Sequence, residues 1–321
     1  MTVPQRATDQ CRVAKETPPQ LDYTKVRAYW KHARPSMLGP YMMDGFGFPV
    51  GAGRFRFRGE IRAVAAATRD LEQDASVLDL GSGVGVWAEY FAQRFSNVVA
   101  VEASPTLYEA LVDRCSRYPN VTTHNRDVLS FEPNGQSGST DGFGLVFLGG
   151  LLMYLNDHDV SILLRKLIPR LKPGAMVLCR ESTVRKGVNT LQGDYQVTYR
   201  SVETYRRVLV DAGFDIVSVE ANTAYINAQM ACELIKKWKA LVPERLRCLP
   251  IVGRLAYWGL RLGYPWNTRS IPWLFARMGR EFPLLTNHFF VLRPSVEAAA
   301  DRREAPSHGE QFVQERLQNA R

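Results

Sequence analysis

VLDLGSGVGVWAEYFA, residues 77–92, is the stretch that decides the fold. Val77, Leu78 and Leu80 read as the end of a buried strand. The run Asp79-x-Gly81-x-Gly83-x-Gly85 then predicts a tight turn with no side chains in the way. Trp87, Phe91 and Phe95 follow at four-residue spacing, which predicts a helix with one apolar face. Strand, glycine turn and helix in that order bring backbone close to a nucleotide-like ligand in an open α/β sheet. No Lys-Ser or Lys-Thr follows the last glycine, which argues against a phosphate-cradling loop. The spacing also departs from the dinucleotide pattern G-x-G-x-x-G.

Outward from the turn, acids recur at the ends of short apolar runs. Asp79 lies two positions before the first glycine of the turn. Asn97-Val98-Val99-Ala100-Val101 ends in Glu102, where a carboxylate can accept from both hydroxyls of a ribose. Val121-Thr122-Thr123-His124 leads to Asp127, whose carboxylate can take the exocyclic amine of an adenine. Asp79, Glu102 and Asp127 are therefore expected at the ends of three successive strands around one adenosine.

DLGSGVG, VVAVEAS, HNRDV, FGLVFLGGLLMYLNDHD and LLRKLIPRLKPGAMVLCRES, in that order, resemble the class I S-adenosylmethionine-dependent methyltransferases. The resemblance runs from roughly Arg58 to Arg293 and is specific mainly from Val77 to Ser182. It implies an α/β fold, a doubly wound, seven-stranded, mostly parallel sheet of the Rossmann-like methyltransferase type. It implies S-adenosyl-L-methionine as cofactor, held by Asp79, Gly81, Gly83, Gly85, Glu102, Asp127, Val128 and Gly149. Gly149-Gly150 closes the fourth strand, where close backbone approach suits the methionine part of the cofactor. The competing reading, another doubly wound nucleotide binder, explains the glycines but leaves the second and third acids as coincidence.

The 321 residues are enough for one large α/β domain with a cap or insertion. A formal net charge of +9 favours acidic partners or anionic surfaces and says nothing of fold. The five cysteines are scattered and lack any C-x-x-C, so reduced thiols in a cytoplasmic protein are expected, and no metal site. Residues 1–20 are polar, without an apolar signal core, and no apolar run is long enough for a transmembrane helix.

Residues 21–57 are expected to form a cap, with Thr24 capping a short helix through Val26, Tyr29 and Trp30 and an ordered loop after it. Tyr41 and Asp44 in that loop are candidate substrate contacts; the cap's aromatics either cover the site or fill a hydrophobic seam. A helix from Arg58 to Leu71 leads into the cofactor domain, residues 58–221 and 286–293. Tyr154 and His158, after the fourth strand, are candidates to face the acceptor, with a solvated helical turn as the plainer reading of His158. Glu181, at the tip of the fifth strand, is the first candidate for a general base, against an ion pair with Arg180 or another arginine. Tyr195 and Tyr199 are further candidates to face substrate.

The sixth strand, Phe214–Glu220, is separated from the seventh, near Asn287–Leu292, by an insertion at 222–285. That insertion holds ten basic residues against three acids, and four of the six tryptophans. Pro250 and Pro265 are expected to divide it into short helices. Three readings stand: a lid with the tryptophans as its own core, a peripheral contact with an anionic membrane that delivers an amphiphilic acceptor, or a nucleic-acid surface. The last is disfavoured, since no recognised nucleic-acid module is present. Residues 294–321 read as a flexible tail, and the oligomeric state is open. The activity that follows is methyl transfer to N or O of a small or amphiphilic molecule, with a lipid acceptor, a nucleic-acid acceptor or a non-catalytic cofactor-binding regulator as alternatives.

Overall fold

The computed structural model describes residues 19–33, 46–49, 51–132, 142–247, 249–296 and 298. Strands β1 (Ser76–Leu80), β2 (Asn97–Glu102), β3 (Val121–Asn125), β4 (Phe143–Leu148) and β5 (Leu171–Val184) form a parallel sheet in the order β3-β2-β1-β4-β5. The reversal of order beside β1 is the switch point at which ligands settle in such sheets. Alternation along each strand splits the core. Leu78, Leu80, Val99 and Val101 pack on one face, with Leu163 and Leu164 of a helix, Asp157–Leu167. Val77, Val98 and Ala100 pack on the other, with Phe91 and Leu111. The sheet is buried on both sides because helices cover both.

α1 (Tyr23–Lys31) belongs to the cap, and its N-cap is Asp22, which accepts from Thr24 N at 2.9 Å, so Thr24 is inside the helix. α2 spans Gly51–Ala67, seven residues earlier than the expected start at Arg58. Gly59 serves packing: a Cβ there would meet the Ala224 methyl at 2.6 Å. Tertiary contact thus overrides weak helix propensity. α3 (Val86–Ala92), α4 (Pro105–Cys115) and α5 (Asp157–Leu167) follow the strands as the periodicity predicts.

The sheet has nine strands where the resemblance implies seven. The added pair is a hairpin, β6 (Val188–Leu191) with β7 (Val197–Ser201), in the stretch that holds Tyr195 and Tyr199. Thr183 at the end of β5 pairs with Thr286 on one side and Arg200 of β7 on the other. α6 (Val202–Asp211), capped by Ser201, leads to β8 (Phe214–Ala221), and β8 pairs with the antiparallel β9 (Thr286–Pro294), which closes against β5. Between β8 and β9 lie four helices, α7 (Thr223–Leu241), α8 (Glu244–Arg247), α9 (Pro250–Leu262) and α10 (Asn267–Arg277). Pro250 begins α9 and Pro265 separates it from α10, as expected. No helix among the described residues is long and apolar enough to cross a membrane.

Candidate active site

The turn after β1 takes its shape from glycines with positive φ: +71° at Gly81, +56° at Gly83 and +78° at Gly85. Backbone hydrogen bonds tie it to the neighbouring strand, Gly81 N and Ser82 N both donating to Val101 O at 2.9 and 3.0 Å. Glu102 completes the tie: one carboxylate oxygen accepts from Gly83 N and the other from Ser104 N, each at 2.8 Å. Each oxygen keeps a lone pair for a further donor. Burial pushes the Glu102 carboxyl above its usual range, against the pull of those backbone donors.

Asp79 is buried beneath the turn, and its Oδ2 has no hydrogen-bond partner among the described residues. Burial first, and secondarily the nearby Glu102 charge, push its carboxyl up to about 7, although a bond with Ser82 opposes this. Asp127 stands at the third strand, where its Oδ1 accepts from Leu129 N at 2.9 Å and its Oδ2 lies 3.8 Å from Arg27 of α1. The cap therefore reaches across to the loop after β3.

These groups open onto a cavity of about 960 Å³, lined by Asp79, Gly81, Gly83, Glu102, Asp127, Val128 and Gly149 among others. None of the described residues lies within 4 Å of where a Cβ on Gly83 would stand, so the floor of the turn faces the cavity. Gly85 is the exception among the expected cofactor residues. It does not line the cavity, and a Cβ there would strike Leu111 at 2.7 Å, so this glycine lets α3 approach α4.

The far end of the cavity has two walls. One is aromatic: Trp30, Tyr154, Tyr195 and Tyr199 line it. The Tyr154 and Tyr195 hydroxyls share a hydrogen bond of 2.9 Å, and Trp30 meets Tyr154 edge-on at 5.2 Å. Burial pushes all three phenols well up, so they stay neutral. The other wall is polar. Glu60 of α2 accepts from Arg56 at 3.1 Å, Asn222 at 3.0 Å and Arg180 at 3.4 Å. Burial works against its charge, but Arg56 and Arg180 hold its carboxyl below the usual range. Arg180 also donates to Gly149 O at 2.8 Å, while its buried Nε has no partner among the described residues. Tyr225, Gln229 and Lys236 of α7 complete this wall.

Two expected catalytic residues are placed elsewhere. Glu181 is fully buried and does not line the cavity. On β5, Arg180 and Ser182 face the cavity, so strand alternation turns Glu181 to the other side. Its carboxylate accepts from Leu151 N at 3.1 Å and Leu152 N at 3.0 Å, fixing the loop after β4, and burial pushes it up to about 7. His158 is exposed on the first turn of α5, outside the cavity lining. Tyr41 and Asp44 lie outside the described residues. The sequence reading missed Arg56, Glu60, Tyr225, Gln229 and Lys236. The one local hint was Arg56 and Glu60 at i, i+4, a spacing that pairs charges on one helix face.

A family model described as "Methyltransferase domain" matches residues 52–219, just over half of the chain. Ribosomal RNA small subunit methyltransferase A of Dehalococcoides mccartyi is 29% identical over 148 residues, 46% of this chain and 49% of that protein. Phosphoethanolamine N-methyltransferase 1 of Triticum aestivum is 30% identical over 134 residues, 41% of this chain and 26% of that protein. The chain thus spans half or less of these curated relatives' length. In three dimensions it superposes on a SAM-dependent methyltransferase of Leishmania major with a TM-score of 0.54 at 13% identity, covering 84% of this chain and 82% of that one. The turn, the acids around it and the family match converge: the chain belongs to the methyltransferase family that takes S-adenosylmethionine as its cofactor.

Proposed function

We propose that this protein transfers the methyl group of S-adenosylmethionine to a nitrogen of a small or amphiphilic acceptor. The residues present fit the cofactor. Among the described residues Asp79 Oδ2 lacks a donor and Arg180 Nε lacks an acceptor, both buried at the cavity wall. An α-amino acid end, with its ammonium and carboxylate, offers both. Glu102 and Asp127 supply acceptors for ribose hydroxyls and an adenine amine, and Val128 an apolar contact. When bound, the cofactor supplies an electrophilic methyl carbon on a sulfonium.

The protein's own contribution is alignment and exclusion of water. The observation that carries the nitrogen reading is the neutral aromatic wall of Trp30, Tyr154, Tyr195 and Tyr199. Such rings stabilise the positive charge that arrives on an amine as it is methylated. The described acceptor end offers no ready base: its phenols are held neutral, and Glu60 is engaged by two arginines and an asparagine. A hydroxyl acceptor needs a base, whereas a neutral amine needs little help. Incubating the protein with methyl-labelled cofactor and separate panels of amines and hydroxyl compounds tests this. Label in an amine product supports the reading; label confined to hydroxyl products contradicts it.

A further inference from the structure

The helical insertion turns apolar side chains outward. The inner face of α9 is spent on packing: Tyr257 and Leu260 are buried, and a Cβ on Gly253 would stand 2.0 Å from Phe46 O. Its outer face carries Ile251, Leu255, Trp258 and Leu262, which are 59%, 67%, 54% and 87% exposed. Their spacing of four, three and four puts them in one stripe along the helix. Trp266 and Trp273, 78% and 55% exposed, continue it into α10. α10 meanwhile buries Asn267 and Thr268, with Asn267 donating to Asn227 of α7 at 3.2 Å. A helix that hides asparagine and displays tryptophan is inverted relative to one facing water. Of the four tryptophans expected as a lid's own core, Trp258, Trp266 and Trp273 are exposed, while Trp238 is half-buried.

Charge accompanies this stripe. Residues 245–280 contain seven arginines and no Asp or Glu. Arg254 and Arg269 are exposed, and Arg277 stacks over Trp273 at 4.2 Å. A second copy of the chain would set like charges against each other across a two-fold axis. A nucleic acid would use the arginines but leave the leucine and tryptophan stripe in water. An anionic bilayer uses both, since indole and aliphatic groups enter the boundary between headgroups and acyl chains while guanidiniums meet lipid phosphates.

We propose that α9 and α10 form a docking surface for an anionic phospholipid bilayer. The surface stands independently of the acceptor's identity. It also lies close to the cavity: Phe48 contacts Tyr257 of α9 at 5.8 Å and stacks at 5.7 Å on Phe46, which lines the cavity. An acceptor drawn from the bilayer would have a short path inward.

Co-sedimentation of the full chain with vesicles of phosphatidylcholine, with and without phosphatidylglycerol, tests the proposal, with tryptophan emission recorded in parallel. The expected result is binding to the phosphatidylglycerol vesicles, a blue shift of emission, and release by high salt. Leu255→Asp combined with Trp258→Asp should weaken binding by at least about tenfold, and Arg254→Glu with Arg269→Glu should weaken it at low salt. Both variants should keep wild-type affinity for S-adenosylhomocysteine, which separates loss of docking from loss of fold. Absence of vesicle binding by the wild type, or binding unchanged in both variants, overturns the proposal. So does a dimer in sedimentation velocity that the Leu255 and Trp258 changes abolish, or an oligonucleotide affinity above that for the vesicles.

Discussion

The two ends of the cavity are built from different kinds of parts. The proposed cofactor end is made of consecutive pieces of chain, the tips of β1, β2 and β3 and the loops that leave them. Two of its acids are held by backbone N–H groups, Glu102 by Gly83 and Ser104 and Asp127 by Leu129. The acceptor end is assembled from α1, α2, β5, the β6–β7 hairpin and α7, and its defining contact joins Glu60 to Asn222 across 162 positions of sequence. A site whose parts are neighbours in sequence can be copied across many proteins. A site gathered from scattered elements can be changed piece by piece, which is how one cofactor fold comes to serve many acceptors.

Substitutions should separate the two ends. The largest effect is expected at Gly83, where a tryptophan would fill the open space above the turn at a φ of +56°. Gly83→Trp should weaken S-adenosylhomocysteine binding by more than about a hundredfold in calorimetry, with a fold cost near 1–2 kcal/mol from the left-handed backbone. Asp79→Asn should weaken binding by roughly tenfold, through one lost charge-assisted bond. The same change should stabilise the empty protein at alkaline pH. The Asp79 carboxyl is raised from 3.8 to about 7 in the fold, so the folded state holds a proton that the unfolded state has released. Its favourable contribution is present below about pH 4 and lost as pH rises through about 7. Removing the charge should therefore raise the melting temperature at pH 8, by an amount equivalent to a few kcal/mol, and leave it unchanged at acid pH.

Smaller effects are expected from the acceptor end and the structural acid behind it. Tyr154→Phe removes the bond to Tyr195 and should lower kcat/KM by about tenfold while cofactor affinity holds. A parallel loss of cofactor affinity would merge the two ends into one functional unit. Glu181→Gln keeps an acceptor for the Leu151 and Leu152 N–H groups, so turnover should stay within about threefold. Glu181→Leu leaves those buried donors unpaired and should lower stability by about 2–4 kcal/mol. Abolished turnover in the glutamine variant with an unchanged melting temperature would return Glu181 to the role of base.

The contrast also explains what the sequence disclosed. Asp79 and Glu102 were legible because each stands in or at the end of an apolar run that reads as a strand, and Asp127 because it follows a short run rich in β-branched residues. Gly85 was misassigned because a packing glycine and a ligand-facing glycine look alike in a glycine-rich turn. Glu181 was misplaced by one residue of strand alternation: Arg180 and Ser182 face the cavity, and nothing local to β5 states which parity points inward. The early start of α2 was hidden because Gly51 and Gly53, in a stretch dense in glycine and aromatics, read as loop signals. The insertion's basic and aromatic character was plain in the sequence, whereas the outward direction of its tryptophans depends on which face of α9 meets α7.

The central claim is that carboxylates at successive strand tips grip one nucleoside. Calorimetric titration of S-adenosylhomocysteine into the wild type and Glu102→Ala tests it most directly, with circular dichroism to confirm that both are folded. A ribose held by Glu102 requires affinity to fall by at least about tenfold in the variant, with the favourable binding enthalpy reduced. Equal affinity in two folded proteins would contradict it.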